Sequence, residues 1–375
     1  MLVRASTQAG IKVTVATTDD DGPGARQSVP LEQPIQGDDG ATYHYFPRQL
    51  GFYTVSWPLR QWMRRSIREF DIVHIHSLFS FPSIVAARAA RHAGVPYIVR
   101  PLGVLNRWGL ENRRPFLKRV SLRFAELPII EAASAMHYTS RREQREAETL
   151  DSQVGRTRAA IIPLPIDVPR EVSDVALAEF KQRFPQMNSP QLVLFLSRLD
   201  RKKGVELLLE AFAGVKAQFP EALLVVAGGG DESYVQKLHA LAGRLGIGSR
   251  VLWPGFLRGA DKDGVLAAAT VFVLPSYSEN FGIAAAEALA AGVPVLLSDQ
   301  VAVADDVSGA NAGLVVRCDV SALTQGLRQL LSDANLRSTF VTRGRTLVEE
   351  RYSTFAVGQQ LKSLYESVMQ HGTPL

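Results

Sequence analysis

Two carboxylates, Glu279 and Glu287, carry the clearest chemistry in this sequence. Glu279 stands in the turn Pro275-Ser276-Tyr277-Ser278-Glu279-Asn280-Phe281-Gly282, directly after the apolar run Val271–Leu274. Glu287 follows in a segment otherwise made of Ala, Leu and Ile, about two helical turns in at ~3.6 residues per turn. A Glu on such an apolar helix needs hydrogen-bond partners, because an ionised carboxylate is rarely buried alone. Ribose or sugar hydroxyls meet that need. A partly exposed helix face would explain Glu287 by itself. The turn, the spacing and the following Ala291-Gly292-Val293-Pro294 together favour a ligand.

A second group follows the apolar run 192–196, in Ser197-Arg198-Leu199-Asp200-Arg201-Lys202-Lys203-Gly204. This is again a strand end, a charged loop and then a helix. Helix N-termini favour anions, Arg offers a fork of donors to phosphate oxygens, and Lys offers a mobile point charge. A diphosphate fits there, although an exposed basic turn is the plainer reading of the loop alone. A third piece, Gly228-Gly229-Gly230-Asp231, follows the run 223–227 and lets backbone approach a ligand. It is not the dinucleotide fingerprint, which needs G-x-G-x-x-G opening a helix. After the next strand, Pro254-Gly255-Phe256-Leu257 offers backbone groups and an apolar surface to a base.

The elements that must hold these residues are short apolar strands alternating with helices. Residues 11–17, 72–76 and 97–100 read as strands in the first half, and 192–196, 223–227, 251–253, 271–274 and 293–297 in the second. Residues 81–93, 205–219, 234–245 and 283–291 read as helices between them. Continuous apolar strands separated by helices mean parallel sheets covered on both faces. The expected fold is therefore α/β, with two doubly wound, Rossmann-like parallel-sheet domains facing across a cleft. The proline-rich stretch 161–169 links them. Residues 1–165, completed by the C-terminal helix 355–371, form the first domain, and 166–354 the second. Residues 1–9 read as the tail of a helix, so the first domain is expected to lack an opening strand and turn upstream of Met1. That strand lies centrally in such sheets, so its absence leaves a gap.

Composition narrows the partners. The 375 residues are 46% hydrophobic and 21% charged, enough for two α/β cores. The single cysteine, Cys318, excludes a disulfide framework and suits a reducing compartment. No apolar run reaches the ~20 residues of a membrane-spanning helix. The net charge is +7 over residues 1–170 and −2 over the rest. Between Arg60 and Arg123 stand 13 basic and 3 acidic residues, with Trp62 and Phe116 interleaved and Trp57 and Phe124 at the flanks. Such a region marks an anionic membrane surface or an anionic substrate, and otherwise a solvated helix face. No nucleic-acid motif accompanies it, so nucleic acid is not the expected partner. The expected location is cytoplasmic, peripheral on the inner membrane face.

The Glu279-x7-Glu287 pattern, the Arg198/Lys203 loop and the Ala-Gly-Val-Pro turn resemble the "glycosyl transferases group 1" family of retaining enzymes with the GT-B fold. Asp71-Ile-Val-His-Ile-His76, Gly94-Val-Pro96 and Ile161-Ile-Pro163 match its N-terminal domain and linker. The resemblance implies sugar transfer from a nucleotide-diphosphate donor without a metal, onto a lipid-linked or polysaccharide-type acceptor. It implies that Arg198 and Lys203 bind the diphosphate, that Glu279 lies by the donor sugar, and that the Asn280, Phe281, Gly282 and Ile283 backbone contacts sugar and phosphate. Glu287 would hold the ribose. Gly228, Gly229, Phe256 and Leu257 complete the expected donor side, and His76 and Gly103 the acceptor side. The sequence agrees on metal, with no His/Cys cluster of ligand spacing; Asp261-Lys262-Asp263 reads as a solvated connection.

The chain departs from the family where Leu102 replaces a His or Arg, where Pro165 replaces a Gly, and in lacking the first Gly-rich loop. An epimerase or hydrolase on a related fold is one alternative. A nucleotide- or carbohydrate-binding protein without turnover is another.

Overall fold

The computed structural model describes residues 1–22, 24–106, 115–167 and 172–371. It divides into two compact units, Met1–Pro165 with Thr354–Leu375, and Ile166–Ser353.

The second unit is a single six-stranded parallel sheet. Its strands are β8 (Gln191–Leu196), β9 (Ala222–Ala227), β10 (Val251–Gly255), β11 (Val271–Leu274), β12 (Val295–Ser298) and β13 (Gly313–Val316), in the order β10-β9-β8-β11-β12-β13. The centre of β8, β9, β11 and β12 is buried and apolar, as a sheet covered by helices on both faces requires. The chain winds outward in one direction from β8 through β9 to β10. It then returns to pair β11 against the other side of β8 and winds the opposite way. The β8/β11 boundary is thus the topological switch point, where the loops at the strand C-termini part and leave a crevice. The unit is closed at its base by Ile166, whose N–H donates to the Tyr352 carbonyl at 2.7 Å.

The first unit holds two sheets in one core. β1 (Thr14–Thr18), β2 (Pro34–Gln36) and β3 (Thr42–Phe46) form one, ordered β1-β3-β2. β4 (Val73–His76), β5 (Tyr97–Arg100), β6 (Ala135–Tyr138) and β7 (Ala159–Ile161) form a parallel sheet in sequence order. No ladder joins β1 to β4 among the described residues, so each keeps an edge there. Phe46, Leu59, Ile75, Tyr97 and Val99 nonetheless share one buried cluster, against which Ala16 packs. The helix Thr354–His371 returns to this unit and buries Val357, Leu361, Leu364 and Val368 against Ala5, Ile98, Ala135 and Ile162. Gly358 permits this approach, since a Cβ there would stand 2.3 Å from the Ala5 carbonyl oxygen.

Several strands escape a search for continuous apolar runs. β3 reads Thr-Tyr-His-Tyr-Phe, and β6 carries the fully buried His137. The His137 ring nitrogens are matched inside the fold, so the composition of β6 understates its burial.

One buried carboxyl stands out near this unit's surface. Glu126 is fully buried, accepts a hydrogen bond from Ser121 Oγ at 3.1 Å, and leaves Oε2 without a partner. Burial pushes its carboxyl up to about 7, well above the 4.5 of a free glutamate. The neutral acid is favoured by folding. Its contribution is intact below the unfolded value and is lost as pH rises through 7. Glu126→Gln is therefore expected to stabilise the chain at pH 8 by on the order of 2 kcal/mol, with the gain fading toward pH 5. Urea midpoints across that range test this, and a difference that does not vary with pH would contradict it.

Candidate functional site

The switch point brings Lys203 to Glu279. β8 ends at Leu196, and its loop closes into the short turn Arg201–Lys203, where the Asp200 side chain accepts from the Lys202 N–H at 3.0 Å. Gly204 then takes φ +65°. A Cβ there would lie 2.2 Å from the Pro275 carbonyl oxygen, so glycine is what allows the β8 loop to press onto the end of β11. The Tyr277 N–H reaches the Lys202 carbonyl at 2.7 Å, and Lys203 Nζ forms an ion pair with Glu279 Oε2. Both side chains are mostly covered, at 13% and 19% exposure, so water screens the pair weakly.

The other side of the turn is equally fixed. Glu279 N–H donates to the Gln300 carbonyl at 3.2 Å, and Ala302 N–H donates to the Glu279 carbonyl at 3.1 Å. Val303 N–H takes the Phe281 carbonyl, and the Phe281 ring stands edge-on to Tyr352 at 5.5 Å. Phe281 is thus an anchor of the turn: its side chain is buried and its carbonyl engaged. Gly282, at φ +101°, opens the helix Ile283–Ala290, which has no side-chain cap. Its first turn presents N–H groups and the positive end of the helix dipole beside Glu279. Ile283 is 40% exposed at that mouth.

Glu287 has a partner that the sequence reading missed. Lys262 Nζ lies 2.9 Å from Glu287 Oε1, while Asp261 pairs with Arg183 at 2.8 Å. The Asp261-Lys262-Asp263 segment is the first turn of the helix Ala260–Ala268, not a solvated connection. No sequence spacing signals a contact between residues on two separate helices.

Arg198 behaves differently from Lys203. It is exposed, with no hydrogen-bond or ion-pair partner among the described residues, on a loop held to β9 by Leu199 N–H on the Gly229 carbonyl at 2.8 Å. Of the two cations read from the sequence, Lys203 is the one joined to Glu279. The glycines after β9 also divide. A Cβ on Gly228 would meet the Ser197 carbonyl oxygen at 1.8 Å, so the close approach made there is to the sheet itself. Gly229 faces open space. Both line a cavity of about 330 Å³ whose wall includes His239 stacked on Trp253 at 4.3 Å. After β10, Phe256 is 76% exposed and free to meet a planar group, whereas Leu257 is buried. A larger groove of about 560 Å³, lined by Arg201, Tyr234, Lys237, Arg244 and Tyr277, includes neither Lys203 nor Glu279.

In the first unit, His76 and Gly103 fall at the C-terminal ends of β4 and β5. The Gly103 N–H is already engaged, donating to Glu143 Oε1 at 2.6 Å. His76 is exposed at the end of β4, with its Nδ1 3.4 Å from Arg100 Nη1. Among the described residues, no group of three or more His, Cys, Asp or Glu could hold a metal ion.

Each half of the chain matches a family model: residues 178–347 match "Glycosyl transferases group 1", and residues 1–165 match "Glycosyl transferase 4-like domain". A phosphatidyl-myo-inositol mannosyltransferase of Mycobacterium leprae is 33% identical over 56% of this chain and 55% of its own length. The chain thus spans about half the length of that curated relative. A GDP-mannose-dependent monoacylated alpha-(1-6)-phosphatidylinositol monomannoside mannosyltransferase of Corynebacterium glutamicum is 26% identical over 86% of each chain. Among solved structures, a sucrose-phosphate synthase from Thermosynechococcus elongatus superposes with a TM-score of 0.71, at 22% identity, covering 99% of this chain and 92% of its own. The fold is of the GT-B type.

The pair at the switch point has an energetic signature of its own. Lys203→Met leaves Glu279 charged and half-enclosed, and is expected to cost about 1–3 kcal/mol of stability. Lys203→Met with Glu279→Gln removes both charges and is expected to recover most of that loss. A double-mutant cycle in urea measures the coupling; additive effects would mean that the two groups do not interact in solution.

Proposed function

We propose that this chain, a glycosyltransferase of the GT-B fold with two Rossmann-like domains, moves a sugar with retention from a nucleotide-diphosphate donor to a lipid-linked or polysaccharide-type acceptor. The observation that carries the proposal is the Lys203–Glu279 pair at the β8/β11 switch point, beside an uncapped helix N-terminus. Breaking the anomeric bond leaves an oxocarbenium-like sugar and a diphosphate whose negative charge grows in the transition state. Lys203, the unpaired Arg198 and the first N–H groups of Ile283–Ala290 are positioned to meet that charge as it develops. Groups aimed in advance at developing charge lower the barrier more than they stabilise the bound donor. Glu279, tied to Lys203 and to the loop after β12, orients the donor sugar. Glu287, held by Lys262, takes the ribose hydroxyls, and Phe256 the base. Retention follows from attack on the face the diphosphate leaves, with a phosphate oxygen accepting the acceptor's proton. With the protein's own cations meeting the leaving group, turnover requires no divalent metal.

A lipid-linked acceptor is supported by the names of the two inositol-lipid mannosyltransferase relatives and by one surface. On the helix Pro115–Ser121 and the turn after it, Phe116 and Phe124 are 76% exposed, and Leu117 and Val120 are also exposed, beside Lys118, Arg119 and Arg123. Apolar side chains interleaved with cations match an anionic bilayer surface. A second basic face, with Arg60, Arg64, Arg65 and Arg68 exposed, lies along Trp57–Ser66 and the turn Ile67–Glu69. There Trp62 belongs to the fold, packed 5.0 Å from His44 and 5.6 Å from Phe46. Arg113 and Arg114 lie outside the described residues. No helix among the described residues is long and apolar enough to cross a membrane, and a peripheral position on the cytoplasmic face is the location proposed.

Two measurements test this reading. Turnover of a nucleotide-sugar panel in the presence of EDTA is expected to persist, and to fall at least 100-fold in Lys203→Ala and Glu279→Ala; unchanged turnover in both variants would defeat the assignment. Co-sedimentation with vesicles containing anionic lipid is expected to weaken about tenfold or more in Phe116→Asp/Phe124→Asp and to decline with salt. Binding indifferent to lipid charge, salt and these substitutions would rule out the membrane surface.

A further inference from the structure

Arg100 ends β5 as a buried cation that makes no ion pair or hydrogen bond with a carboxylate among the described residues. The residue is 5% exposed, and of its five N–H donors the guanidinium commits one, Nη1 to His76 Nδ1 at 3.4 Å. Its Nε is sealed from solvent with no acceptor. The carboxylate nearest in effect, Glu143, is fully engaged elsewhere. Its Oε1 accepts from Gly103 N–H at 2.6 Å, and its Oε2 from Thr139 N–H and Oγ1, both at 2.7 Å. A buried charge is ordinarily paired and hydrogen-bonded.

The groups behind Arg100 offer it no negative charge. The Ile162 carbonyl can only accept, so His137 Nε2 donates to it at 2.8 Å and His137 Nδ1 must accept. His74 Nε2 then donates to His137 at 3.2 Å, and Tyr365 O–H donates to His74 Nδ1 at 2.7 Å. Each tautomer follows from the one before, and both imidazoles are neutral. Burial and the Arg100 cation hold His137 down to about 3. The backbone in front is unusual. Ser77 and Phe79 after β4, and Leu102 after β5, all have left-handed φ, at 77°, 57° and 57°. Non-glycine residues adopt this conformation where the surrounding structure holds them there, often at ligand sites.

We propose that the C-terminal ends of β4 and β5 form an oxyanion site in which Arg100, flanked by His76, receives a carboxylate or phosphate group of the acceptor. A planar fork of donors suits both groups, and ligands of parallel sheets sit at this edge. The acceptor would then be acidic, carrying an acidic sugar or a phosphate. The inference rests on the first unit being the acceptor side, and it adds a residue, Arg100, and a charge requirement to that reading.

Calorimetry on the full chain saturated with a nucleoside diphosphate, so that the Lys203 site is occupied, then titrated with glucuronate, inorganic phosphate and inorganic pyrophosphate, tests it and separates the two sources of oxyanion. At least one probe is expected to bind with one-to-one stoichiometry, at least tenfold more weakly in Arg100→Met and to an intermediate degree in Arg100→Lys. Nucleoside diphosphate binding should survive Arg100→Met and be lost in Lys203→Met, so failure at one site is distinguishable from failure at the other. In anion-free buffer Arg100→Met should melt no lower than the parent chain, because it removes an unpaired buried charge. The ¹⁵N signals of His76 should move on anion addition in the parent and stay still in Arg100→Met. Equal anion binding by Arg100→Met overturns the proposal. So does a lower melting temperature of that variant together with absence of any oxyanion binding by the parent and by Arg100→Lys, which would make Arg100 a structural residue.

Discussion

The organisation of the second unit depends on one charge meeting another where the winding of its sheet reverses. Lys203 and Glu279 are 76 residues apart in sequence, yet each stands a few residues beyond the end of a central strand, and those strands are neighbours. Everything nearby keeps that meeting in place: Gly204 lets one loop press on the other, Tyr277 N–H stitches them, and Gln300, Ala302 and Val303 hold the Glu279 turn from its far side. The pair is enclosed enough to be strong and open enough to exchange partners. In the proposed reaction an arriving diphosphate takes Lys203, leaving Glu279 to turn toward hydroxyl groups.

The local part of this arrangement was legible in the amino-acid sequence. Apolar β-branched runs announced β8, β9, β11 and β12, and charged turns after them placed Lys203 and Glu279 at C-terminal strand ends. Contacts between elements distant in sequence were not legible. Lys262 reaches Glu287 because two helices lie side by side, and no periodicity within either helix encodes that. The β9 glycines are ambiguous in sequence for a related reason. A glycine demanded by a neighbouring strand and a glycine demanded by a ligand look alike in sequence, and Gly228 proves to serve the Ser197 carbonyl.

The first unit was harder to read because its strands are less uniformly apolar. β6 contains His137, which interrupts a hydrophobic run and weakens a strand assignment, whereas the β-branched residues of β4 announce it despite His74 and His76. Inside the fold the His74 and His137 imidazoles are neutral and partnered, closer in effect to bulky apolar groups with fixed hydrogen bonds than to charges. What sequence alone hides is protonation state, which depends on burial and on the neighbouring Arg100.

The Lys203 and Lys262 cations of the second unit and Arg100 of the first differ in one respect that bears on what each can bind. In the second unit Lys203 and Lys262 already have carboxylate partners, so a ligand must displace or share an existing interaction. Such a site returns to a satisfied state when its ligand leaves, which suits the proposed donor site, where a nucleotide diphosphate must be released at every turnover. Arg100 in the first unit has no such resting partner. A cation of that kind binds an anion without first giving up another, and it discriminates strongly against a neutral molecule that would leave it uncompensated. Release is less of a difficulty on that side when the product grows from the acceptor, because the same anionic group can enter as substrate and leave as product.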